Sequence, residues 1–215
     1  MPSAPTVDRP SEAVDIAAQY RRLERPLSGA VALLVAAIVA MSIFSFSLVT
    51  GALIAITVLL AVRAPLFKTR GTARLMSDAT PDAVRADFEG ATPPMLAFQW
   101  GIADTVRSTP DGAVYEISYL FGLRSVVMEL ETHTDIDDAD VRLVVTAGEN
   151  PWGTYDVNIT ASGTETVIDI EWASDRRFGL NRLPQWLLAE RYRAVALDAQ
   201  GYTAVDRDAA LTLVG

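Results

Sequence analysis

Cysteine is absent from the 215 residues, and histidine and lysine occur once each. The missing cysteine excludes disulfides, thiolate metal sites and a thiol nucleophile. A lone imidazole, His133, cannot build a histidine-rich zinc centre and leaves at most one group for proton relay. The sequence also lacks a glycine-rich phosphate loop, a nucleophile elbow and an HExxH helix. Charge, too, is missing over a long stretch: none of the 37 residues between Arg25 and Arg63 carries one.

At about 1.5 Å per residue that stretch would form a helix of roughly 55 Å. The hydrocarbon core of a bilayer is about 30 Å thick and takes about 20 residues. The length predicts two transmembrane spans, 27–44 and 48–66, with a break at Ser45-Phe46-Ser47 and Thr50-Gly51 just beyond. Arg63 would snorkel to the headgroups. Ala36, Ala40, Gly51 and Ala55 recur at four-residue spacing, which fits either close helix packing or generic apolar filler. Both flanks are basic: Arg21, Arg22 and Arg25 before, then Arg63, Lys68, Arg70 and Arg74 after. The positive-inside rule therefore predicts a multi-pass protein of the cell membrane with its N-terminus and soluble domain in the cytoplasm.

Four parts follow. Residues 1–26 form an N-terminal segment, Pro-rich and disordered at first, then a short amphipathic helix with Ser11 as cap, Ile16, Tyr20 and Leu23 on one face, and Pro26 as its end. Residues 27–66 form the hairpin, 67–71 a basic linker, and 72–215 a soluble domain. Over residues 75–215 there are 10 basic and 23 acidic groups, a net of −13. Such a domain repels nucleic acid and anionic lipid headgroups at ordinary ionic strength; the partners expected are membrane lipids, through the anchor, and an apolar ligand. Seventeen of the basic residues are arginine. With abundant aspartate, this composition resembles that of proteins from salt-loving archaea; an acidic domain from a GC-rich bacterium carries the same bias.

The domain opens with a strand at 72–77. A helix starts at Thr80-Pro81-Asp82, with a cap, a proline in the first turn and an acid. Pro93-Pro94 begins a shorter helix to about Ile102. Period-two alternation then predicts strands. Tyr115, Ile117, Tyr119 and Phe121 face one way, as do Val126, Met128 and Leu130. Val141, Leu143 and Val145 repeat the pattern, followed by Tyr155, Val157 and Ile159, then Thr166, Ile168, Ile170 and Trp172. Polar residues such as Glu116, Glu129, Asp156 and Asp169 alternate with them, the mark of an antiparallel sheet wet on one side. A long helix at 181–200 carries the stripe Leu188, Tyr192, Val195 and Ala199 and stops at Gly201; the tail 202–214 adds an extended segment.

The fold class predicted is α+β: a transmembrane helical hairpin, then a curved antiparallel sheet packed on a long C-terminal helix. The run Ser77-Asp78-Ala79-Thr80-Pro81-Asp82-Ala83-Val84 looks like the opening of the START-like superfamily (SRPBCC, the helix-grip fold), and element order extends the resemblance over residues 72–201. That resemblance implies a cavity between sheet and helix for an apolar ligand, as in lipid carriers and polyketide cyclases.

Trp100, Tyr115, Tyr119, Tyr155, Trp172, Trp186 and Tyr192 are the candidate cavity residues; bulky aromatics fill ordinary cores equally well. Arg176, Arg177 and Arg182 bracket the start of the last helix and fit either an anionic headgroup at that N-terminus or ion pairs with Asp175. His133 shares the polar face with Glu129 and Glu131 and reads as a solvated strand residue. Asp135, Asp137, Asp138 and Asp140 lack the glycine and glutamate of a calcium loop and read as an acidic hairpin. No catalytic residue, metal or cofactor is assigned. Three functions fit: a membrane-tethered cytoplasmic module binding an apolar small molecule or lipid, a non-catalytic structural or interaction module with a solid core, and a cyclase-like enzyme using Tyr115, Tyr119, Tyr155 and Thr166.

Overall fold

Helix α1 (Ser11–Ser45) runs without interruption through Pro26 in the computed structural model, which describes residues 7–119 and 123–213. The expectations for residues 1–6, for Phe121 and for Val214 lie outside the described residues. The first half of α1 belongs to the domain. Ala13 and Ala17 are fully buried, and Arg9, just ahead of the helix, donates from Nη1 to the carbonyls of Trp100 (2.9 Å) and Ala103 (2.6 Å). These carbonyls lie at the C-terminal end of α4 (Ala97–Ile102), where a cation is favoured.

The second half of α1 leaves the domain and exposes Leu33, Leu34, Met41 and Phe44. The chain turns at Phe46, and Ser47 caps α2 (Leu48–Arg63) by accepting from the Thr50 N–H. Helix α2 lies against α1 so tightly that a Cβ on Gly51 would stand 2.5 Å from the Ser42 carbonyl oxygen. Gly51 on α2 meets Ser42 and Ile43, and Ala55 is buried as well; Ala36 and Ala40 are exposed.

The prediction of two transmembrane spans is corrected here. Among the described residues one helix, α1, is long and apolar enough to cross a membrane. Helix α2 ends at Arg63 after 16 residues, short of the roughly 20 a span needs. It stops because Pro65 holds Ala64 in an extended conformation. The two-helix anchor and the multi-pass localisation therefore fall.

Eight strands follow in one antiparallel sheet: β1 (Phe67–Ser77), β2 (Thr105–Thr109), β3 (Gly112–Tyr119), β4 (Arg124–Ile136), β5 (Ala139–Ala147), β6 (Asn150–Ser162), β7 (Glu165–Ser174) and β8 (Thr203–Leu213). Their order is β2-β3-β4-β5-β6-β7-β1-β8. The sheet is open, with β2 and β8 as its edges, which corrects the expected curved sheet gripping one helix. Strand β1 begins at Phe67, so Lys68 and Arg70 belong to it rather than to a linker. Strand β2 was not anticipated; it pairs with β3 across the tight turn at Pro110-Asp111.

The alternation holds along the strands. Tyr115, Ile117, Met128, Leu130, Val141, Leu143, Val157, Ile168 and Ile170 are all buried beneath the helices. The opposite face carries ion pairs, Arg74 with Asp169 at 2.7 Å and Arg142 with Asp156, each between cross-strand neighbours. Helix α3 (Pro81–Glu89) is capped by Thr80 and buries Val84 and Phe88. It covers one end of the sheet, a 3-10 turn (Pro94–Leu96) leads into α4, and α5 (Leu183–Asp198) packs on the first half of α1 as well as on β8.

Candidate ligand-binding site

A row of paired residues crosses the sheet beneath α5: Leu143, Tyr155, Trp172, Gly71 and Ala209. Gly71 is the gap in that row. A Cβ there would lie 2.5 Å from the Trp172 ring and 2.1 Å from the Asp208 carbonyl oxygen, so only glycine lets the indole lie over β1. The guanidinium of Arg207 stands 5.4 Å from the centre of the same ring, within reach of its π face. Arg207 points inward because β8 slips register between Arg74 and Leu75, leaving Val205 unpaired; a bulge reverses the alternation beyond it.

Above Trp172, Glu190 of α5 holds two arginines. Arg193 Nη1 lies 3.1 Å from one carboxylate oxygen and Arg207 Nη2 2.8 Å from the other. Arg193 Nε and every guanidinium nitrogen of Arg207 are nonetheless buried with no aligned acceptor. Burial foremost, and then Arg193, push the Arg207 guanidinium down to about 10, against the pull of Glu190. Burial likewise raises the Tyr155 phenol, an effect that Arg193 and Arg207 oppose.

A half-open cavity of about 580 Å³ lies between this part of the sheet and the helices. Its volume is in the range of small-molecule sites. Ile117, Tyr119, Val126, Met128, Tyr155 and Trp172 form the floor; Phe98 and Ile102 of α4 form one wall; Gln185, Trp186, Ala189 and Arg193 of α5 form another. Tyr20 and Glu24 of α1 close it, with Tyr20 stacked on Phe98 at 4.9 Å between ring centres. The end nearest the apolar helices is held by two contacts. Gln185 donates to the Ser28 hydroxyl, and Gly179 fits under the Val62 and Ala64 carbonyls, where a Cβ would meet them at 2.6 and 3.0 Å.

Of the residues singled out in the sequence, Tyr119, Tyr155, Trp172 and Trp186 come together on this lining. Trp100 and Tyr115 do not: both are fully buried in the core, donating to the carbonyls of Pro93 (2.9 Å) and Ala91 (3.0 Å). They sit beneath the loop that leads into α4, which uses them as pillars. Tyr192 turns towards α1 and meets Tyr20 edge-on at 6.2 Å. Arg176 and Arg182 line the cavity, Arg176 with its guanidinium 4.6 Å from the centre of the Trp152 ring. Arg177 is exposed and outside the lining. Asp175, the expected arginine partner, pairs with Lys68 at 3.6 Å instead.

Thr166 donates to the Ala79 carbonyl at 2.6 Å, is buried and is not on the cavity lining. With Tyr115 also in the core, the polar set expected of a cyclase does not assemble. His133 is exposed, 3.8 Å from Glu131. Asp140 is engaged by Arg85 at 3.1 Å and by the Ile159 N–H at 2.7 Å. Among the described residues no group of acids and histidine is placed to hold a metal ion. The sequence reading missed Tyr20, Glu190, Arg193 and Arg207. Only the i, i+3 spacing of Glu190 and Arg193 hinted at a pair.

No protein-family model matches this sequence, and none of the curated proteins is similar to it. Solved structures with a similar fold include a START superfamily protein from Mycobacterium smegmatis, 10% identical, with 62% of this chain aligned to 97% of that one at a TM-score of 0.41. Mll3558 from Rhizobium loti is 20% identical over 61% of this chain and 95% of that one, TM-score 0.41. DR_A0006 from Deinococcus radiodurans is 14% identical over 61% and 97%, TM-score 0.39.

Proposed function

We propose that this protein is a membrane-tethered module that holds an apolar small molecule or lipid in the cavity between its sheet and helices α1, α4 and α5. The observation that carries the reading is the cavity itself, about 580 Å³ with aromatic and aliphatic walls. A solid-core module would have no such space. Tethering follows from α1, whose second half exposes large apolar side chains, Phe44 at 89% among them; an apolar patch of that kind seeks lipid. Because the same helix supplies Tyr20 and Glu24 to the lining, the binding site stands at the membrane surface from which an apolar ligand comes.

Solvent extraction of the purified full-length protein, followed by mass spectrometry, tests this reading. A stoichiometric apolar molecule is expected in the wild type and its loss in Ala189→Trp, which fills the cavity from α5. An empty wild-type protein that also takes up no added lipid would overturn it.

A further inference from the structure

The cavity is two-sided in its chemistry. Phe98 and Ile102 of α4 with Ile117, Val126 and Met128 of β3 and β4 make an apolar side. The β7–α5 side carries Arg176, Arg182 and Arg193, while Glu24 of α1 is the one acid among the described lining residues. Three cations against one anion is the reverse of the surrounding domain, which is strongly acidic. Positive charge concentrated in a cleft of an acidic protein selects its ligand by sign.

The second observation is the shortage of acceptors. Two guanidiniums share the single Glu190 carboxylate, and four of their buried nitrogens have no aligned partner. Buried donors are nearly always satisfied in folded proteins, and exceptions call for an explanation. One of the four, Arg193 Nε, belongs to a residue on the cavity lining, where a bound anion supplies an acceptor; the other three belong to Arg207. Arg207 stands behind the Trp172 ring and off the lining, so it acts through its charge, as a positioning residue.

Resting on the binding reading above, we infer that the ligand is an acidic amphiphile: an apolar chain lying along the α4–β3–β4 side, with an anionic oxygen head met by Arg193. A fatty carboxylate and a single-chain lipid phosphate share that chemistry.

The test uses full-length protein in lipid nanodiscs and three probes of equal chain length: a dansylated fatty carboxylate, its methyl ester and the matching alkyl phosphate. Wild type is expected to bind at least one acid about tenfold or more tighter than the ester, the effect of a charge-assisted hydrogen bond. Which acid binds tighter identifies the head. Arg193→Gln is expected to abolish that preference, so that acid and ester bind alike, and Arg193→Lys to keep most of it. Ala189→Trp should weaken all three probes. Equal wild-type affinity for ester and both acids would overturn the acidic head and leave the cavity's binding role standing. Failure of wild type to bind any probe would overturn both readings.

Discussion

Gly101 of α4 meets Ala17 of α1 so closely that a Cβ added at Gly101 would stand 2.8 Å from the Cβ of Ala17. The contact fixes the height of α1 over the sheet, and with it the wall that Tyr20 presents to the cavity. Gly101→Val is therefore expected to destabilise the protein by about 1–3 kcal/mol through overpacking, although valine is a better helix former than glycine. Urea unfolding followed by tryptophan fluorescence measures the loss. Amide exchange should accelerate selectively in the first half of α1; uniform exchange across the domain would contradict a docking role for Gly101.

Glu190 and Arg207 should respond oppositely to neutralisation. Glu190→Gln leaves two buried guanidiniums facing each other and is expected to cost about 3–5 kcal/mol. Arg207→Met leaves one arginine on one carboxylate and keeps an apolar stem on Trp172, so stability should hold or rise. Thermal melts of the two variants decide the matter, and an Arg207→Met protein that melts well below wild type would show the pair to be structurally required.

Gly71→Ala places a methyl group into the Trp172 ring and the Asp208 carbonyl. The strand cannot yield without breaking its pairing to β8, so the indole must move. A cost of roughly 1–3 kcal/mol is expected, together with a shift in tryptophan emission as the ring leaves its place against Arg207. Unchanged emission and stability would mean that the ring has a second seat.

Alkaline pH should unfold the protein progressively. Burial foremost raises the Tyr115, Tyr155 and Tyr202 phenols; Asp87, which accepts from the Tyr202 hydroxyl at 2.6 Å, raises Tyr202 further. Above about pH 10 the unfolded chain loses these protons first. The folded state then holds more protons, and stability falls as pH rises, by about 1.4 kcal/mol per pH unit for each tyrosine. Arg207, lowered to about 10, works in the other sense, and three tyrosines outweigh it. Tyr202→Phe should flatten the decline by one proton in a pH series of urea midpoints, at a neutral-pH cost of about 1 kcal/mol.

Much of the sheet was legible because one face is dry and the other wet: alternation alone placed Tyr155 and Trp172 inward beneath the last helix. The rest turned on effects without a local signature. Pro26 reads as a helix end, yet α1 continues through it because contacts on both sides hold the helix. Ala13 and Ala17 look like filler until Gly101 is found against them. Arg207 reads as an outward strand residue unless the bulge at Val205 is known, and that register slip depends on the partner strand. Trp100 and Tyr115 share the residue types of the cavity aromatics, and only hydrogen bonding to Pro93 and Ala91 separates them.

The continuity of α1 has a mechanical consequence. A helix that runs unbroken from Ser11 to Ser45 is a lever, with the Ser28–Gln185 hydrogen bond near its pivot. Tyr20 lies two turns on the domain side of Ser28, roughly 12 Å along the axis. Tilting the outer arm by about 10° swings Tyr20 by about 2 Å. The angle of that outer arm thereby becomes a setting for how wide the cavity stands.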